Sequence, residues 1–136
     1  MNDANVVLRF LLADDDRQSA EAEDLLIKAP DGSLSLSALT VAEVTWVLIA
    51  HFETPREVVA SAIQRVIALP SIRANDTLLD AVARFAATSL DFADCALAAE
   101  AAAQGTVAVT FDKDLKRFKD INAMPPKEAL QRLRTR

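Results

Sequence analysis

The sequence predicts an α/β fold in which a short, mostly parallel central sheet is flanked by helices, and three observations carry that expectation. Brief strand-like segments, Ser33–Ser37 (SLSLS) and Thr106–Thr110 (TVAVT), are separated by longer stretches whose apolar residues recur every three or four positions. The chain has 136 residues, of which 51% are hydrophobic, enough for one cored domain over residues 1–136. Gly105, one of only two glycines, stands between an alanine-rich helical stretch and TVAVT, where a left-handed residue ends a helix.

Taken in order, residues 5–12 and then Arg17–Ala29 read as helices. The turn pair Asp31-Gly32 leads into the strictly alternating Ser33–Ser37, a strand. Thr40–Phe52 is helical by Val41, Val44, Val47 and Leu48. It is apolar almost all round, which predicts a buried helix. Thr54-Pro55-Arg56-Glu57 opens the next helix with Thr as N-cap and proline in the first turn, and Val59, Ile63 and Val66 share one face. Ser71–Arg73 fits a short strand. Asp76–Thr88 is helical by Leu78, Val82 and Phe85, and Asp91–Gln104 is the alanine-rich helix. A short helix or loop begins at Asp112.

Composition removes several chemistries. A single cysteine, Cys95, excludes an internal disulfide and Cys-rich zinc sites, and reads as a small buried thiol. A single histidine, His51, excludes HExxH and paired-histidine catalysis, and two glycines exclude GxGxxG and P-loops. Trp46 and the six phenylalanines read as core. No apolar run reaches a membrane-spanning length, and the acidic start MNDANVVLRF does not resemble a signal peptide, so a soluble cytoplasmic protein is expected. Charge is uneven: residues 1–112 hold 7 basic and 17 acidic residues, while residues 113–136 hold 8 basic and 3 acidic. The basic end suits either a polyanion or a solvated helix terminus.

Carboxylates are plentiful, and four fall at or just after candidate strand ends: Asp3, Glu43, Asp94 and Asp112. Each also reads as a cap. Thr40-x-x-Glu43 has the form of a capping box and Asp91-x-x-Asp94 that of its all-aspartate relative. Asp112 suits the cap of the next helix, and Asp3 suits a terminal acid. A parallel sheet places such junctions along one edge. Gathered there, the acids would repel one another, and a divalent cation would relieve the conflict. Oxygen donors suit Mg²⁺ or Mn²⁺, which activate water for phosphoryl displacement.

At these residues the sequence resembles the PIN-domain ribonucleases, and among them the VapC-type toxins of toxin–antitoxin pairs. Asp3-Ala4-Asn5-Val6-Val7-Leu8-Arg9 is similar to the opening D-x-N motif. Residues 42–48 (AEVTWVL), 91–97 (DFADCAL) and 110–115 (TFDKDL) are similar to the second, third and fourth motifs. The resemblance implies that Asp3, Glu43, Asp94 and Asp112 form an acidic metal pocket, with Asp3 and Asp94 the most direct ligands and Asn5 and Thr110 orienting carboxylates. It further implies Mg²⁺- or Mn²⁺-dependent endonucleolytic hydrolysis of RNA, tRNA or rRNA among the substrates. A homodimer and a cognate antitoxin that enters the pocket with arginine are implied as well. The chain departs from the pattern at Ala4, where a hydroxyl residue is frequent. It departs again at its start, where Asp3 follows only Met1 and Asn2 although the family places an apolar strand before this acid. A missing or unusually short first strand is therefore expected.

Arg9 and Lys113 adjoin the motifs and suit either phosphate contact or a solvated face, and Asp91 and Asp114 read as caps or outer groups. A PIN-like protein-binding module with impaired catalysis is the alternative. A receiver-type signalling domain is disfavoured: Asp14-Asp15-Asp16 resembles its acidic pair, but residues 32–75 contain no aspartate to accept phosphate. The acidic triplet reads instead as a loop and N-cap.

Overall fold

A computed structural model describes residues 3–135. The start of the chain, where a missing or unusually short first strand is expected before Asp3, lies outside the described residues. From Asp3 the chain enters α1 (Ala4–Leu12), turns at Ala13 in the left-handed region, and continues into α2 (Asp16–Lys28). Asp15 caps α2 by accepting from the Gln18 N–H at 2.9 Å, the N-cap role expected of the acidic triplet.

Strand β1 (Leu34–Ser35) pairs in parallel with β2 (Ile72–Arg73), and β3 (Val107–Val109) pairs in parallel with β4 (Asn122–Met124). Every strand pairing among the described residues is thus parallel, in two short ladders. The β1-to-β2 crossover runs through α3 (Ala38–Trp46), a π turn (Val47–His51) and α4 (Arg56–Ile67). Between β2 and β3 lie α5 (Asp76–Ala87) and α6 (Phe92–Gln104), the most extensively packed pair of helices. A 3-10 segment (Lys113–Arg117) links β3 to β4, and α7 (Pro126–Arg134) closes the chain. Gly105 ends α6 with φ 64°, as the sequence predicts.

The core is one cluster that joins Val7 and Leu8 of α1, Leu26 of α2, Val41 and Val44 of α3, Val59 and Ile63 of α4, Val82 and Phe85 of α5, and Phe92 and Cys95 of α6. Cys95 is the buried thiol expected, and desolvation pushes its pKa up. None of the helices among the described residues is long and apolar enough to cross a membrane.

Several local expectations are corrected. Helix α3 starts earlier than Thr40: Ser37 is the N-cap, its Oγ accepting from the Thr40 N–H at 3.1 Å, so Thr40 does not open a capping box with Glu43. Thr54 does not cap α4 either. Its N–H bonds back to Leu48 O at 2.9 Å after the π turn, and the cap position belongs to Pro55. Nor is the Thr40–Phe52 stretch buried all round. Trp46 is 67% exposed, with Ile49 and Phe52 also outside. Among the phenylalanines, Phe85 and Phe92 are core, while Phe111 and Phe52 are exposed. Periodicity identified the helix, but an apolar side chain facing solvent looks the same in sequence as one facing the core.

Candidate active site

Each predicted acid is placed by a local hydrogen bond or a helix face. Asp3 is the N-cap of α1, its Oδ1 accepting from the Val6 N–H at 3.1 Å. With Asn5, Arg9, Gln18 and Glu21 it lines a cavity of about 380 Å³ between α1 and α2. Arg9 is engaged there, its guanidinium donating from Nη1 to Asp14 at 2.8 and 3.0 Å and from Nε to Gln18 at 2.9 Å. Glu43 is exposed on α3, the helix that packs against both α1 and α6.

Asp94 stands in the first turn of α6. Asp91 caps that helix, its Oδ1 accepting from the Asp94 N–H at 2.9 Å, which places both carboxylates at the positive end of the helix. Asp112 comes just after β3, which packs against α6. Its backbone is fixed by Thr110, whose Oγ1 accepts from the Asp112 N–H at 2.9 Å, and its own Oδ1 accepts from the Asp114 N–H at 2.8 Å.

Electrostatics join these two junctions. The Asp94 carboxyl is held above the usual aspartate range, first by burial, then by the charge of Asp91 and a hydrogen bond with it, and then by the charges of Asp112 and Asp114. Asp94 and Asp112, two of the four expected site acids, therefore share one field, together with Asp91 and Asp114. Asp3 and Glu43 are not among the groups that act on Asp94. Among the described residues no group of three or more His, Cys, Asp or Glu side chains is arranged to hold a metal ion. The donor type is that of a hard cation: the carboxylate oxygens of Asp94 and Asp112 are the ligands that Mg²⁺ or Mn²⁺ takes.

Two arginines that sequence reasoning passed over hold this region. Arg84, 9% exposed on α5, bonds Asp80 at 3.1 Å and Asp120 at 3.0 and 2.5 Å, and lies 4.8 Å from the Phe118 ring centroid. It ties α5 to the segment beyond the 3-10 turn. Arg56, at the start of α4, donates to the carbonyls that lead into α6. For Arg84 a signal was present: a cation between the core positions Ala81, Val82 and Phe85, four residues after an aspartate.

Short parallel strands, helices on their flanks and a carboxylate-rich junction at the start of α6 define an α/β domain of the acidic-site type. The chain belongs to the PIN-domain family, whose pattern it matches over residues 1–121. This is a nuclease fold, commonly metal-dependent, and it implies a nucleic acid substrate. Comparison with curated proteins gives no significant match.

Proposed function

We propose that this PIN domain is a Mg²⁺- or Mn²⁺-dependent endoribonuclease and the toxin of a toxin–antitoxin pair, acting in the cytoplasm as one domain over residues 1–136. The observation that carries the reading is the PIN-family match over residues 1–121, together with the placement of Asp94 in the first turn of α6 and of Asp112 just after β3, the strand that packs against that helix. Acids brought together at such a junction disfavour one another's ionisation unless a cation compensates them.

In this reading Asp94 and Asp112 hold the cation, and Asp3 and Glu43 approach from α1 and α3 to complete the set. Thr110 keeps Asp112 in place through the bond to its N–H, and Asn5 serves Asp3. A bound cation would supply water activation and neutralisation of the phosphate charge. The chain's own cations serve the substrate: Lys113, Lys116, Arg117 and Lys119 are all positioned close in sequence to Asp112 and Asp114 and suit an RNA backbone. Leu115, fully buried among them, anchors that segment to the core. A homodimer and an arginine-bearing antitoxin complete the proposal, since an anionic pocket favours a guanidinium.

Cleavage of RNA by the purified protein with Mg²⁺ or Mn²⁺ tests the reading. Activity is expected with either ion, none with chelator, and a loss of at least about 100-fold in Asp94→Asn. Undiminished cleavage by Asp94→Asn would count against it. The second reading, a PIN-like binding module without catalysis, is favoured by the lack of a metal-holding carboxylate group among the described residues. It predicts no specific Mn²⁺ uptake.

A further inference from the structure

We propose that Arg56 is a positioning residue for the acidic turn at the start of α6, an inference that rests on the metal-dependent reading above. Its guanidinium gathers three carbonyls at once. Nε donates to Thr88 O at 2.9 Å, and Nη2 donates to Phe85 O at 2.8 Å and also to Leu90 O. Its Cζ lies 3.9 Å from the centroid of the Phe85 ring, a cation–π contact on a fully buried aromatic.

Those three carbonyls span the end of α5 and the turn into α6, where a helix normally leaves its last C=O groups unpaired. Leu90 immediately precedes Asp91, the α6 N-cap that holds the Asp94 N–H. Phe92, the next residue, packs its ring edge-on to Phe85 at 6.0 Å. Arg56 and Phe85 thus grip both sides of the residue that carries the first acid. Thr88 adds a second brace, its Oγ1 donating to Arg84 O at 2.8 Å and accepting from the Leu90 N–H at 3.3 Å.

The arrangement matters because the acids oppose it. The charges of Asp91, Asp112 and Asp114 act against that of Asp94, and a loose turn would let Asp94 swing away from the β3 junction. A planar fork that binds three carbonyls at once resists that swing. An ammonium at the same place cannot span the three acceptors with fixed geometry. Among the described residues the hydrogen bonds of Arg56 go to backbone carbonyls and not to an acid of the site, so its effect passes through the backbone.

Arg56→Met and Arg56→Lys, compared with wild type by Mn²⁺ calorimetry and by amide hydrogen exchange over residues 88–95, test the proposal. Arg56→Met is expected to weaken Mn²⁺ binding about tenfold and to speed exchange at Asp94, with Arg56→Lys intermediate and both variants melting cooperatively. Wild-type Mn²⁺ uptake with unchanged affinity and unchanged exchange in both variants overturns the proposal, even if the melting temperature falls, because Arg56 is then a plain brace. Wild-type protein that takes up no Mn²⁺ overturns the metal-dependent reading itself. Should Arg56→Met fail to fold, Arg56→Lys decides by the same two measurements.

Discussion

Arg84 and Asp120, thirty-six residues apart in the chain, meet through two hydrogen bonds of 3.0 and 2.5 Å, one from each terminal guanidinium nitrogen to each carboxylate oxygen. The pairing is bidentate, the geometry in which an arginine–carboxylate contact is strongest. It holds the segment after the 3-10 turn against α5.

Arg84→Met should therefore destabilise the protein by about 1–3 kcal/mol in urea unfolding, less than a fully buried pair because both aspartates reach solvent. The Arg84 contact lowers the pKa of Asp120, so this stabilisation is complete above the ordinary aspartate range and is lost as pH falls through the depressed folded value. The stability gap between wild type and Arg84→Met should narrow on acidification. A gap that stays constant down to about pH 2 would refute the ion-pair origin.

Asp94 makes the opposite prediction. Its pKa is raised in the folded state, first by burial and then by its acidic neighbours, so its charged form weakens the fold at neutral pH. Without metal, Asp94→Asn should melt higher than wild type at about pH 7, on the order of 2 °C. The advantage should vanish as pH falls below the ordinary aspartate range, where both forms are uncharged. A lower melting temperature for Asp94→Asn at neutral pH would show that the carboxylate is not strained.

Trp46 is the chain's single tryptophan, and with Leu39, Ile49 and Phe52 it faces solvent from α3 and the π turn. Apolar surface of this kind suits the proposed homodimer. Sedimentation should show a dimer for wild type and a monomer for Trp46→Glu, with little change in thermal stability because the side chain is outside the core. A Trp46→Glu dimer of unchanged affinity would move the interface elsewhere.

The exposed cations that follow Asp112 in the chain, Lys113, Lys116, Arg117 and Lys119, predict a salt dependence. With the Asp94→Asn background and chelator present to prevent cleavage, single-stranded RNA binding should weaken with salt. Adding Lys116→Ala and Arg117→Ala should reduce the slope of log K against log salt by about 1.4, or roughly 0.7 for each lost phosphate contact. Lys28→Ala, remote and paired with Asp24, should leave the slope unchanged. Equal slopes in all variants would exclude Lys116 and Arg117 from the RNA surface.

Much of the fold was legible because its signals are local. Gly105 ends α6, the alternation of SLSLS and the β-branched TVAVT contain β1 and β3, and Asp91 and Asp15 cap where their spacing predicts. Strand β4 was missed: Asn122-Ala123-Met124 has neither β-branched residues nor alternation, and it becomes a strand only because β3 offers it a ladder, with the Thr110 N–H bonding Met124 O at 2.9 Å. The candidate site was legible only as residue types in order along the chain. Residue type and order picked out Asp94 and Asp112, which the packing of α6 on β3 brings into one field. The distances from Asp3 and Glu43 to that field depend on how α1 and α3 pack, which no local pattern encodes. Arg56 was hidden for a related reason: its partners are backbone carbonyls 29 to 34 residues away, and a carbonyl leaves no mark on a sequence.

The most direct test of the central claim, that Asp94 and Asp112 jointly hold a divalent cation, is Mn²⁺ titration calorimetry at neutral pH on wild type, Asp94→Asn and Asp112→Asn. Saturable uptake by wild type, weakened at least about tenfold in each variant, is the predicted result. No uptake by wild type, or the same affinity in all three proteins, would contradict it.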